Sequence, residues 1–145
     1  MAGDRLLCTF RVAGHLLGLD ISVVQEVLRR QEITRLPLSS PAVRGIINLR
    51  GHIVPAVDLR CCLDLPAAER GEDRATIVVR GREAAAASLL VDEIGDVIQV
   101  TEATRERAPE TVQGISRQLI HGVFPLQERL LLELELGEVL RVAYA

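Results

Sequence analysis

The side chains able to do chemistry are few and scattered. Cys8, Cys61 and Cys62 form no Cys-x-x-Cys pair and share no zinc-type spacing with a histidine. They read as small thiols of a reduced interior, with a redox role for the Cys61–Cys62 pair as the sharper alternative. His15, His52 and His121 lie far apart, at turns or strand starts, without the i, i+2 or i, i+4 companion of a metal site. The chain has no lysine, so it cannot form a Gly-rich phosphate loop with its lysine. Ser22, Ser39, Ser40, Ser88 and Ser116 fall in no nucleophile motif. Asp92, Glu93 and Asp96 cluster around Gly95 and could offer oxygens to a cation, but the frame of a calcium loop is absent and a solvated turn explains them more simply. No catalytic residue, metal or cofactor is expected, and the chain reads as a non-enzyme.

Without a catalytic grouping, the elements themselves carry the argument. The 145 residues allow one ordinary domain or two very small barrels packed as a unit. Apolar residues make up 48% and aromatics only 2%, so the core must be built from Val, Ile, Leu and Ala. Net charge is −3, with no basic stripe and no interleaved aromatics, which argues against a nucleic-acid partner. No stretch approaches the roughly 20 apolar residues of a membrane span. The first residues lack the charged-then-apolar order of a signal peptide, so a cytoplasmic location is expected.

Turn signals recur about every ten residues, the spacing of an all-β fold. Leu6–Val12 and Leu16–Leu19 read as a hairpin around Ala13-Gly14. Asp20 is expected to cap a helix through Val23, Val24, Glu26 and Val27 that ends at Arg29-Arg30. Ile33–Leu36 reads as a strand stopped by Pro37. Gly45–Leu49 and His52–Leu59 form a hairpin around Arg50-Gly51, with Pro55 implying an edge or a bulge because proline cannot donate to the ladder. A helical turn follows Asp58 through Leu63, and Pro66–Arg74 is a polar exposed loop. Ala75–Arg80 and Glu83–Val91 flank Gly81-Arg82 as a third hairpin. Ile94, Val97, Ile98 and Val100 continue the apolar pattern, and Thr101–Ile115 is polar with one helical turn. Leu119–Phe124 and Arg129–Leu136 form the last hairpin, with alternate leucines on one face and Glu133 and Glu135 pointing away. Gly137–Leu140 allows only a short closing turn.

Two features go beyond a list of strands. Val57-Asp58-Leu59 with Leu63 echoes Leu134-Glu135-Leu136 with Leu140, as two similar half-barrels would. Strands such as Ile77-Val78-Val79 and Leu130-Leu131-Leu132 are apolar on both faces. They must be buried twice or offered to a partner, which points to an interaction module.

The blocks Val23–Val27, Ile33–Pro37 and Pro41–Arg60, above all Asn48-Leu49-Arg50-Gly51 and Val57-Asp58-Leu59-Arg60, resemble CheW-like domains. Leu90–Val97 and Arg129–Leu140 are similar to the family's second and third blocks, and together they cover nearly the whole chain in order. The resemblance implies a mainly β fold: two small five-stranded, SH3-like barrels, intertwined in one domain over 1–145 around a shared apolar core, with a few short helices. It implies a non-catalytic adaptor that couples chemoreceptors to a CheA-type histidine kinase in a chemosensory array. The partners would be the kinase's regulatory domain and the cytoplasmic tip of a methyl-accepting receptor, with no membrane insertion. Carried over residue by residue, a receptor groove would comprise Val24, Glu26, Gly45, Arg50, Ile77, Ala87, Ile94 and Val97. Arg50 and Glu26 would either contact the receptor or pair with each other to order the groove wall. The resemblance assigns no kinase-facing residues. A scaffold of a non-flagellar pathway (twitching motility or surface sensing), a self-associating β-barrel protein, and an enzyme or metal protein on a small barrel are the competing readings.

Overall fold

A computed structural model describes residues 3–37, 40–69, 75–81 and 85–145. Ten of its strands form two five-stranded sheets. The first contains β1 (Asp4–Val12), β2 (His15–Asp20), β8 (Glu93–Thr101), β11 (Ile120–Pro125) and β12 (Leu130–Leu134), in the order β11-β12-β2-β1-β8. The second contains β3 (Val24–Arg29), β4 (Val43–Leu49), β5 (His52–Asp58), β6 (Ala75–Arg80) and β7 (Ala86–Val91), in the order β3-β6-β7-β5-β4. A small ribbon of β9 (Thr111–Val112) and β10 (Ile115–Ser116) lies apart from both. Helix α1 (Leu59–Cys62) follows β5, and α2 (Leu136–Ala143) follows β12.

The two sheets repeat one plan. In each, a hairpin joins a second hairpin through a parallel pair, β5 with β7 and β12 with β2, and one further strand completes the sheet. The registers coincide at constant spacing. Val43 faces Val57 as Ile120 faces Leu134, and Gly45 faces Ala56 as Gly122 faces Glu133. Both hairpins carry a bulge just before that glycine. The faint echo in the sequence is therefore a structural repeat. The expected five-stranded subdomains are present, but as open sheets. Among the described residues, apart from single bridges, Thr34 with Ile46 and Glu106 with Val123, no ladder joins the two ends of either sheet.

One core serves both sheets: Phe10, Leu17 and Leu19 of the first pack with Val57, Ile77 and Leu89 of the second. Smaller clusters fill the opposite faces, around Leu7, Phe124 and Leu131 in one sheet and around Ile47, Val54 and Leu90 in the other. Ile77-Val78-Val79 and Leu131-Leu132, read as apolar on both faces, are thus buried on both, while Leu130 at the start of β12 is exposed.

Several local expectations are corrected. Asp20 does cap a turn, accepting from the Ser22 amide at 2.9 Å, but only a three-residue 3-10 turn, Ile21–Val23, follows. Val24–Arg29 is strand β3, as its β-branched residues favour once β6 is there to pair with. Ile33–Leu36 contributes one bridging residue rather than a strand. Pro55 lies in a central strand, yet β7 begins its pairing with β5 only at Ala56, so no ladder donor is missing there. Helix α2 runs well past Leu140 because Val139 and Ala143 anchor it in the shared core. Glu133 does not face water but is 4% exposed. The Pro66–Arg74 loop lies partly, and the Gly81-Arg82 turn at Arg82, outside the described residues.

Candidate interaction surface

The predicted site residues concentrate on two strands, β3 and β8, each at the end of its sheet. The strands are equivalent in register. Val24 faces Val79 where Ile94 faces Phe10, and Val27 faces Ile77 where Val97 faces Cys8. Both ladders slip between these two points, which gives Val24-Gln25-Glu26-Val27-Leu28 and Ile94-Gly95-Asp96-Val97-Ile98 the same path. Gly95 is needed there because a Cβ would come within 2.5 Å of the Thr9 hydroxyl. Val24 and Ile94 lean partly buried on the shared core, while Val27 and Val97 stand out at 44% and 53% exposure. Each edge strand thus presents an exposed valine at a matched position, and no folding requirement explains either. Val27 was missing from the sequence-derived set. The Val-Gln-Glu-Val-Leu and Ile-Gly-Asp-Val-Ile match was the signal for it.

Ile77 and Ala87 are both 0% exposed and sit in the shared core, so neither can touch a partner. Their side chains belong to the shared core and not to a groove surface. Gly45 is likewise buried, and its role is close approach. A Cβ there would lie 2.2 Å from the Thr34 carbonyl oxygen, in the bridge where Thr34 and Ile46 exchange hydrogen bonds of 2.8 and 2.9 Å.

Arg50 occupies the β4–β5 turn with φ +52°, followed by Gly51 at +88°, the left-handed pair that a two-residue hairpin turn requires. Its guanidinium makes a two-pronged ion pair with Glu26, tying one end of the second sheet to the other. Glu26 and Arg50 line a surface pocket of about 680 Å³ with Ile53, Val54, Val78 and Ala86. None of the other six predicted residues lines it: Val24, Ile94 and Val97 lie on the β3 and β8 edges, and Gly45, Ile77 and Ala87 are buried in β4, β6 and β7.

Several other ionisable groups are occupied by the fold. Arg60, 5% exposed, bonds Asp92 at 2.7 Å and the Pro66 carbonyl at 2.9 Å. Asp92 also accepts from the Ala13 amide at 2.8 Å, which joins α1, the crossing between the sheets and the first hairpin turn. The solvated turn read around Gly95 is thus an ion-paired joint at Asp92. Arg5 reaches Glu133 at 2.5 Å, Glu102 at 2.6 Å and Asp20 at 2.9 Å. Among the described residues no group of His, Cys, Asp and Glu could hold a metal ion, and no helix is long and apolar enough to cross a membrane. Cys8 and Cys62 are buried and Cys61 is exposed; burial pushes the Cys62 thiol up to about 12, which keeps it protonated and inert.

The family model of the CheW-like domain matches residues 6–143. The chain belongs to the CheW-like family. It is 33% identical over 138 residues to the chemotaxis protein CheW of Bacillus subtilis, covering 95% of this chain and 87% of that one. With the probable chemotaxis protein CheW of Rhizobium etli it shares 31% over 134 residues, covering 92% and 86%. The crystal structure of the scaffolding protein TtCheW from Thermoanaerobacter tengcongensis superposes with a TM-score of 0.82 at 29% identity, covering 91% of this chain and 89% of that one. The two-sheet plan is therefore the family's fold, and the blocks that suggested the resemblance are the strands and turns described above.

Proposed function

We propose that this chain is a non-catalytic scaffold of a chemosensory array that couples a methyl-accepting receptor to a CheA-type histidine kinase. The matched exposed valines on β3 and β8 carry this reading, because a helical receptor tip needs an apolar trough with a few directing charges. Val27 and Val97 supply its walls, Val24 and Ile94 its inner edge, and the Arg50–Glu26 pair the charged rim. Ile77 and Ala87 act only by setting the floor beneath, and Gly45 by letting the segment around Thr34 close against β4. Holding both partners at once raises their effective concentration and lets receptor state bias the kinase. The working unit is one domain over 1–145, placed in the cytoplasm at receptor arrays. A second reading, a scaffold of a twitching-motility or surface-sensing pathway, draws on the similarity to Protein PilI of Pseudomonas aeruginosa, 29% over 115 residues.

The test is assembly of a ternary complex from the purified chain, a CheA-type kinase and a receptor cytoplasmic fragment. Val97→Asp, Val27→Asp and Arg50→Ala should each weaken receptor capture about tenfold, the effect of roughly 1.4 kcal/mol, while kinase capture stays intact. Receptor binding unchanged in all three would refute the groove. Failure of the wild-type chain to bind either partner would refute the coupling role itself.

A further inference from the structure

Each sheet carries an arginine-lined pocket at the same place in the repeat, beside the bridge that joins its two ends. In the second sheet a pocket of about 350 Å³ is lined by Arg30, Glu32, Arg35 and Arg44, around the Thr34–Ile46 bridge. In the first, a pocket of about 520 Å³ is lined by Arg105, Glu106, Arg107, Arg117 and His121, around the Glu106–Val123 bridge. The correspondence extends to single positions. Arg35 follows the bridging Thr34 as Arg107 follows the bridging Glu106, and Arg44 precedes Gly45 as His121 precedes Gly122.

In each pocket some basic side chains are held by the fold. Arg44 pairs with Asp58 at 3.0 Å, and His121 lies 3.2 Å from Glu135. Arg105 is held as well, by Glu102 at 3.2 Å and by donation to the His121 carbonyl at 3.1 Å. The other arginines are not held. The guanidinium groups of Arg30, Arg35, Arg107 and Arg117 are exposed and make no ion pair or hydrogen bond with any described residue. In a chain of net charge −3 with acids in excess, two free arginines in each pocket, with Arg35 and Arg107 at equivalent places, are not explained by average surface charge. Packing does not require them either, since their heads face solvent.

We infer that the two pockets are paired recognition sites for carboxylate-rich protein segments, one in each half of the molecule. Arginine forks match carboxylates in bidentate fashion. Each pocket places two free forks beside a third arginine held by the fold, Arg44 in one and Arg105 in the other, so the site is partly organised before a ligand arrives. A protein segment suits them better than a compact anion, because the sites are open, arginine-lined surfaces with no buried donor pointing inward. Glu32 and Glu106 on the same walls would repel a small, densely charged anion, while an extended segment can space its carboxylates to avoid them. Since the sites share no residue with the Val27, Val97 and Arg50 surface, occupation of one does not preclude the other. The inference does not depend on the coupling role.

The test uses the full chain and a fluorescein-labelled peptide of ten alternating glutamate and glycine residues, followed by fluorescence anisotropy at low salt. Saturable binding is expected, weakening steeply as salt rises. Arg30→Gln with Arg35→Gln, and separately Arg107→Gln with Arg117→Gln, should each reduce affinity about three- to tenfold, and the fourfold variant should abolish it. These side chains are exposed, so the thermal midpoint of each variant, read by circular dichroism, should match wild type and separate loss of binding from loss of fold. Unchanged affinity in the fourfold variant overturns the inference, as does absence of saturable binding. Displacement of the peptide by inorganic phosphate at equal or lower concentration also overturns it, in favour of a small-anion site.

Discussion

The two halves of this molecule share a backbone plan and differ in nearly every polar contact made on it. Register, bulges, parallel junction and following helix coincide between β4–β5–α1 and β11–β12–α2. Yet Ala56 of one half corresponds to the buried Glu133 of the other, and the Arg44–Asp58 pair to His121–Glu135. Arg50, in ion pair with Glu26, corresponds to Gln127, while Asp96 takes the place of Glu26. Apolar positions at matching registers suffice to specify such a sheet, and the polar ones are then free to diverge toward separate uses. Function in this protein is to be sought where the halves disagree.

The largest disagreement is the Arg5 cluster. Glu133 is buried where the other half has Ala56, and it survives burial because Arg5 bonds it at 2.5 and 2.9 Å. Arg5→Ala strands that carboxylate and should cost about 3–5 kcal/mol in urea unfolding. Arg5→Leu with Glu133→Ala, which copies the other half, should cost far less, because no buried charge is left behind. If the double variant is no better than Arg5→Ala, the pair is not what separates the halves. The same cluster sets an acid limit. Burial alone would raise the Asp20 carboxyl, but bonds from Ser22 and the Arg5 guanidinium outweigh it and hold Asp20 below the usual carboxylate range. A depressed carboxyl stabilises the fold above its unfolded pKa, near 3.9, and that contribution disappears as pH falls through the lower folded value. The stability gap between wild type and Arg5→Ala should therefore narrow below about pH 4.

A second contrast lies in the paired glycines. At Gly45 a Cβ would strike the Thr34 carbonyl, which is backbone and cannot give way without opening the bridge. At Gly122 a Cβ would meet the Cδ and Cγ of Arg105 at 2.5 and 2.7 Å, and that side chain can swing into solvent. Gly45→Ala should cost about 1–3 kcal/mol and Gly122→Ala less than about 1, by thermal or urea unfolding. Equal costs would mean that the two bridges are equally rigid and that Gly45 has no special part in closing its sheet.

These contrasts also explain what could be read from the sequence. The hairpins around Ala13-Gly14 and Arg50-Gly51 were legible because left-handed turns demand particular residues and alternation fixes the strands on either side. Strand β3 was misread as a helix because Asp20, with arginines at Arg29-Arg30, imitates helix ends. The β6 edge that makes a strand of it lies far along the chain. Glu133 was placed in water because period-two alternation marks faces but not partners, and Arg5 is remote in sequence. The Arg50–Glu26 ion pair is one of the two alternatives that the sequence left open for these side chains. Ile77 and Ala87 entered the groove set through the family resemblance, and with β6 and β7 apolar on both sides only the shared core shows which way they face.

The smallest expected effect concerns the pair beside each arginine-lined pocket. Asp58 accepts from Arg44 at 3.0 and 3.2 Å with one oxygen and caps the Arg60 amide at 3.1 Å with the other, so Arg44 also steadies the start of α1. Glu135 makes no side-chain cap bond, and its partner His121 is charged only when protonated. At pH 8, where an ordinary imidazole is neutral, Arg44→His should cost about 0.5–1 kcal/mol and His121→Arg should gain no more than about 0.5, read as shifts in the urea midpoint. A pair worth so little to stability is a weak reason to place a third arginine beside Arg30 and Arg35. If Arg44→His unfolds the protein at a cost well above 1 kcal/mol, its place is accounted for by the helix it steadies. A small cost leaves the pocket as the better explanation, and the half carrying His121 then has the weaker version of the same site.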